Sequence, residues 1–148
     1  MDTNLILDEI KGKLPKGKIG KATMAELKSR LDSLSDSQRS DAFLKIQGAN
    51  LKNPNIVFWI GNFLLGNFGV GRFMIGDYII GVIRLVLSLI VVVISEINDG
   101  SEAMKIIGIS FLILMWGWYF ADWFLVNKKV RMQNLRKVLL AIDSVKSK

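Results

Sequence analysis

Two stretches of the chain are apolar at nearly every position. Tyr78 to Ile94 reads YIIGVIRLVLSLIVVVI, interrupted by Gly81, Arg84 and Ser88, and Ile106 to Val126 reads IIGISFLILMWGWYFADWFLV, with Asp122 its single charge. A hydrocarbon layer about 30 Å thick needs about 20 apolar residues in a helix that rises about 1.5 Å per residue. Both stretches meet that length and predict spans over 77–97 and 105–126. Neither offers the polar face that a surface helix of so small a soluble protein needs. Between them Asn98, Asp99 and Gly100 form a turn signal.

A third stretch, 56–76, reads IVFWIGNFLLGNFGVGRFMIG and is apolar but ill suited to one straight helix. Gly61, Gly66, Gly71, Gly76 and Gly81 recur every five residues. At about 100° per residue this turns each glycine by roughly 140° from the last, so they cannot share one close-packing face of the GxxxG kind. Backbone freedom is the better reading. It predicts a short helix from Ile56 to about Leu65, a tight Gly-rich bend holding Arg72, and the start of the long helix near Asp77. Irregular backbone at membrane depth is tolerated only where protein or water satisfies its polar groups.

On either side the pattern becomes amphipathic. Thr23 with Glu26 and Ser35 with Gln38 each fit a capping box, followed by stripes at Met24, Leu27, Leu31 and Leu34 and at Ala42, Phe43 and Ile46. Two short helices are predicted there, preceded by KGKLPKGKIGK as a flexible basic loop. In the tail, Leu135, Val138, Leu139, Ile142 and Val145 line one face, with Arg136, Lys137 and Lys148 elsewhere. Such a helix lies on a membrane, packs on the N-terminal helices, or forms a coiled contact between subunits.

Charge sharpens the picture because it is segregated. Residues 1–55 hold ten Lys/Arg and seven Asp/Glu, residues 127–148 hold seven and one, and the 71 residues between hold three and five. Lys45 and Lys52 precede the apolar region and Lys128, Lys129, Arg131, Arg136 and Lys137 follow it, whereas the connection carries Glu96, Asp99 and Glu102 against Lys105. By the positive-inside bias both termini are expected in the cytoplasm. That outcome favours two spans plus a partly inserted segment over three spans. The opening MDTNLILDEI lacks the basic start of a cleavable signal, so none is expected. The expected organisation is a soluble cytoplasmic helical segment over 1–50, a membrane domain over 51–127 and a basic amphipathic tail over 128–148. The fold class is all-α: an integral membrane helical hairpin with a partly inserted preceding helix and short cytoplasmic helices at both ends.

The absence of Cys and His removes disulfides, thiolate and imidazole metal sites, and the commonest general base. No catalytic residue, metal site or cofactor is expected. The candidate chemistry is instead the charge within the apolar region. Arg72, Asp77, Arg84 and Asp122 are costly there unless each faces a partner or water. Arg72 and Asp122 lie toward the same ends of their segments and are candidates for a bridge; the alternative leaves Asp122 with water at the headgroups. Arg84, about 10 Å into its helix, must snorkel, pair or face a polar lumen with Ser88 one turn above. Lys11, Lys13, Lys16 and Lys18, with Lys128, Lys129 and Arg131, are candidate contacts for anionic lipid headgroups, or part of solvated linkers.

The sequence LKNPNIVFWIGNFLLGNFGVGRFMIGDYIIGVIRL, followed later by GWYFADWFLVNKKVRMQNLRK, resembles the TM2 domain over about residues 51–137. The resemblance rests on an apolar opening, G-x-x-G at Gly66 and Gly69, an Arg-Phe turn at Arg72 and Phe73, and Gly76 after it. A second helix then begins near Gly81, and W-x-x-x-D at Trp118 and Asp122 closes the motif. Gly71 stands where that family carries an acidic or His residue, so a charge network built there is absent or is served by Asp77. The resemblance implies a helical hairpin and no assigned activity. The expected protein is a non-enzymatic, homo-oligomeric component of a cell membrane (plasma membrane or bacterial inner membrane), acting as a scaffold or binding an unidentified protein partner. The alternative is a pore-forming or membrane-perturbing effector with Arg84 near the lumen. Nucleic acid is not an expected partner, because the basic residues flank spans.

Overall fold

A computed structural model describes residues 2–97 and 101–146. The expected turn at Asn98, Asp99 and Gly100 and the position of Lys148 lie outside the described residues. The fold is all-α, and every regular element among the described residues is helical. The chain divides into two compact units, Met1–Pro54 with Lys128–Lys148, and Asn55–Asn127.

The first unit contains α1 (Thr3–Ile10), α2 (Gly17–Asp32), α3 (Asp36–Gly48) and the end of α7 (Glu102–Lys146). The Asp2 carboxylate caps α1 by accepting the Asn4 amide at 2.8 Å. At the start of α3 the capping box of Ser35 and Gln38 forms in both directions, at 3.3 and 3.1 Å. The box expected at Thr23 and Glu26 does not form. Helix α2 starts earlier, at Gly17, so that Thr23 sits mid-helix and buried. The basic stretch expected as a loop is accordingly mostly helical. A 3-10 turn over Lys11–Lys13 precedes α2, and Leu14, buried completely, pins the short remainder to the core.

That core joins Ile6, Leu14, Leu27, Leu31 and Ala42 to Val138, Ile142 and Val145 of α7. Of the three uses open to the tail, packing on the N-terminal helices is the one found. The tail is also not a separate helix. From Trp118 to Asp143 the sequence has neither Gly nor Pro, and α7 runs unbroken from Glu102 to Lys146.

Two polar side chains of α7 hold the non-helical segments of this unit. Asn134, fully buried, accepts the Lys52 amide at 3.0 Å and donates to the Lys52 carbonyl at 2.8 Å and the Lys13 carbonyl at 3.0 Å. Arg131 donates to the carbonyls of Gly12 and Leu14 at 2.9 and 2.8 Å. The expected role of Arg131 at lipid headgroups is therefore corrected. It is buried, because backbone carbonyls released at a turn need donors that the turn itself lacks. Lys11, Lys16, Lys18, Lys128 and Lys129 are exposed, and Lys13 is half-buried.

In the second unit a helical turn, α4 (Pro54–Ile56), leads into a π-helical segment, Val57–Leu64, where an ordinary helix was expected. Its wider winding shows in the bond from the Leu65 amide to the Ile60 carbonyl at 3.2 Å, five residues apart rather than four. A 3-10 turn, Gly66–Phe68, and α5 (Val70–Met74) complete the bend, and α6 (Tyr78–Ile97) and the first part of α7 follow. Ser88, midway along α6, donates to the Asn67 carbonyl at the tip of the bend.

Burial in this unit is inverted relative to a soluble domain. Ile79, Ile113 and Phe124 are 79%, 68% and 75% exposed, whereas Arg84 and Asp122 are 1% and 2% exposed. Helices α6 and α7 are both long and apolar enough to cross a membrane, and little of their apolar surface is covered.

Replacing Asn134 by Leu leaves an amide and two carbonyls without their partner, at a typical cost of about 1–3 kcal/mol for each buried group left unsatisfied. We expect Asn134→Leu to lower the melting temperature of the purified protein well below that of Gln133→Leu, a neighbouring half-buried polar position. Equal melting temperatures would show that the Asn134 hydrogen bonds add nothing.

Candidate functional site: a buried charge cluster

Arg72, Asp77, Arg84 and Asp122 come together inside the second unit. The last turn of α5 carries Arg72, Asp77 stands immediately before α6, Arg84 lies two turns into α6, and Asp122 comes from α7. Both Nε and Nη2 of Arg72 donate to Asp122 Oδ1, the former at 3.2 Å. Nη1 of Arg72 donates to Asp77 Oδ2 at 3.0 Å. The other carboxylate oxygen of Asp122 accepts from Arg84 Nη1. Two cations and two anions cancel, so no net charge is buried.

Arg84 is the largest fully buried side chain described. Its guanidinium carbon lies 5.8 Å from the centre of the Tyr119 ring, within cation–π range. It faces Asp122 and Tyr119 inside the unit, where the pore alternative had it at a polar lumen. Two of its nitrogens, Nε and Nη2, are enclosed without a hydrogen-bond partner.

Three further residues support the cluster; the sequence singled out only Ser88, as a lumen-lining candidate, and Asn62 and Tyr119 were not singled out. Asn62, 3% exposed, donates its amide to the backbone carbonyl of Asp122 at 3.1 Å and so ties the π-helical segment to the same turn of α7. Tyr119 donates its hydroxyl to the Phe63 carbonyl at 2.8 Å, a backbone group left without a helical partner where the segment ends at Leu64. Ser88 secures the tip of the bend. For Asn62 the signal was present, as an amide in an otherwise apolar run that needs an internal partner. For Tyr119 there was none.

The glycines act as separate points of approach. Gly69 adopts φ +73°, and a Cβ there would stand 2.7 Å from the Gly81 carbonyl oxygen. At Gly71 a Cβ would run into the Asn62 side chain and lie 3.3 Å from the Gly61 backbone. This accounts for the missing acidic residue: no side chain fits at position 71 beside Asn62, and the second carboxylate for Arg72 comes from Asp77. Elsewhere Gly66 meets the Tyr119 ring, Gly81 meets the Phe73 ring, and Gly76 turns the chain at φ +84°. Trp118 is half-buried and is not among the hydrogen-bond partners of the cluster described above.

Apolar helices of spanning length, wrapped around buried charge, define a small helical membrane protein. Within it, residues 50–98, a third of the chain, match the family model of the TM2 domain. The match runs from the segment before α4 to the end of α6, so Trp118 and Asp122 lie beyond it. No curated protein and no solved structure matches the chain.

Removing one partner of a buried ion pair typically costs about 3–5 kcal/mol, whereas removing both is far less harmful. We expect Asp122→Leu, which strands two guanidinium groups, to destabilise the detergent-solubilised protein more than Arg72→Leu. The Arg72→Leu, Asp122→Leu double variant should lose less than the sum of the two. Additive losses would show that the residues act independently. Gly69→Val should lower folded yield more than Val at the exposed Ile113, because it combines a positive φ with a backbone clash; equal yields would refute that constraint.

Proposed function

We propose that this protein is a non-catalytic, self-associating scaffold of the cell membrane, with both termini cytoplasmic and α6 and α7 as its two spans. In this reading the segment from Val57 to Met74 enters the bilayer from the cytoplasmic side and returns, reaching the depth of Ser88. The observation that carries the reading is the commitment of the charge cluster to internal pairing. Both oxygens of Asp122 are taken by arginines, as expected of groups that hold helices together and not of groups that pass ions or protons.

The first unit is the partner-binding part. It has its own core and presents exposed Leu5, Ile19 and Leu44, and Lys16, Lys18 and Lys128 are exposed, each worth about 1 kcal/mol near anionic headgroups. A pore built on Arg84 has no comparable support, since that side chain is enclosed.

Reporter fusions at residues 1 and 148 are expected to read as cytoplasmic and an insertion near Gly100 as external. A C-terminal reporter on the outside would overturn the two-span topology. Native mass measurement should find more than one copy per particle, and purified protein in liposomes should conduct no more than empty liposomes. A strictly monomeric particle or a steady conductance would overturn the scaffold reading.

A further inference from the structure

The bend packs against only the first half of α6. Beyond its tip at Asn67, a cleft of about 380 Å³ opens between α6 and α7, with Ser88 and Tyr119 at the end beside the bend. A second cleft of about 280 Å³ continues toward the end of α6 and the start of α7, reaching Ser95 and Lys105, and the two share Val91 and Leu112 as a common wall. From Ser88 to Ser95 the slot follows about 10 Å of helix rise on α6, and from Lys105 to Tyr119 about 20 Å on α7. These lengths bracket the depth of one leaflet, about 15 Å. The lining is overwhelmingly apolar, and Ser88, Ser95 and Gly108 are its small residues.

We propose that this slot holds one acyl chain of a phospholipid from the leaflet on the side of the α6–α7 connection, with the lipid phosphate on Lys105. The inference rests on the membrane-spanning reading above. Charge of both signs at the mouth suits a zwitterionic headgroup, Lys105 facing its phosphate and Glu102 its ammonium. Residues 56–126 contain three basic residues; Arg72 and Arg84 are consumed by the cluster, and Lys105 stands at the mouth of the slot. Its present partner is Glu102 at 2.9 Å, in a pair exposed on both sides. Such a pair contributes little, so the ammonium turns to a phosphate at small cost. An apolar slot walled on two sides and left unfilled forfeits the dispersion contacts of its lining, and a chain of methylenes from the surrounding leaflet restores them. The bend at one end and Lys105 at the other distinguish this position from ordinary lipid-facing surface.

Two glycines of α7 make a matched test. A Cβ at Gly108 or at Gly117 meets nothing within 4 Å, so a leucine fits the helix at both, but only Gly108 lines the slot. The full chain is reconstituted in nanodiscs of phosphatidylethanolamine, and phospholipid adducts are counted by native mass spectrometry after release into detergent. The expected result is one retained phospholipid on the parent and on Gly117→Leu, and at least about tenfold lower occupancy on Gly108→Leu, which displaces a few methylenes. Lys105→Gln should weaken retention by about fivefold. Equal adducts on the two glycine variants, no adduct on the parent, or a dimer mass that Gly108→Leu abolishes would overturn the proposal, the last by giving the slot to a second copy. Carbonate extraction separates the two levels of inference. Parent protein released into the soluble fraction refutes the membrane reading, whereas parent retained in the membrane without an adduct refutes the lipid site alone.

Discussion

Asp122 divides its two oxygens between Arg72 and Arg84, and the second unit is organised around that division. A carboxylate in an apolar surrounding is strongly disfavoured unless opposite charge is in contact with it. Here the contact comes from two directions, from α5 through Arg72 and from α6 through Arg84. One side chain of α7 thus fixes the positions of both other elements. Asp77 balances the second positive charge, and the unit can place four ionised groups where a soluble domain would place leucines.

Bringing Arg72 to Asp122 sets conditions on the backbone that carries it. The bend must reverse in a few residues and lie close to its own preceding segment, which explains why Gly61 and Gly71 face each other and why Gly69 takes a left-handed conformation against Gly81. π winding over Val57–Leu64 belongs to the same arrangement. It brings Asn62 to the Asp122 carbonyl, and Tyr119 meets the Phe63 carbonyl. That carbonyl is available because the segment ends at Leu64, where the last turn of any helix leaves its carbonyls without a helical partner. The glycine at position 71 and the amide at position 62 fit together, since the amide occupies the space that a side chain at 71 would need.

The first unit solves a different problem with the opposite distribution of groups. Its interior is aliphatic, and two of its buried polar residues, Asn134 and Arg131, serve backbone that leaves the helices at Gly12–Leu14 and Lys52. Ion pairs such as Arg30 with Asp143 lie on its surface at 2.9 Å, where they add little to stability. Buried charge organises one unit, and buried apolar surface the other.

Periodicity and composition determined the all-α class, the two apolar helices, the cap at Ser35 and the inventory of ionisable residues within the apolar region. Each of these depends on neighbours a few positions away: apolar runs, i to i+3 and i+4 stripes, a hydroxyl three residues before an amide. Tertiary structure decided the rest. It moved the start of α2 to Gly17, because Leu14 finds a core to enter, and it carried α7 past Asn127, because the valines at 126, 130 and 138 are all enclosed. It withdrew Arg131 from the surface and gave Asn62, Tyr119 and Asn134 partners 56 to 121 residues distant. A hydrogen bond or ion pair over such a separation leaves no periodic trace in the chain, since either partner is acceptable locally with water, and only the exclusion of water by packing decides which group must replace it.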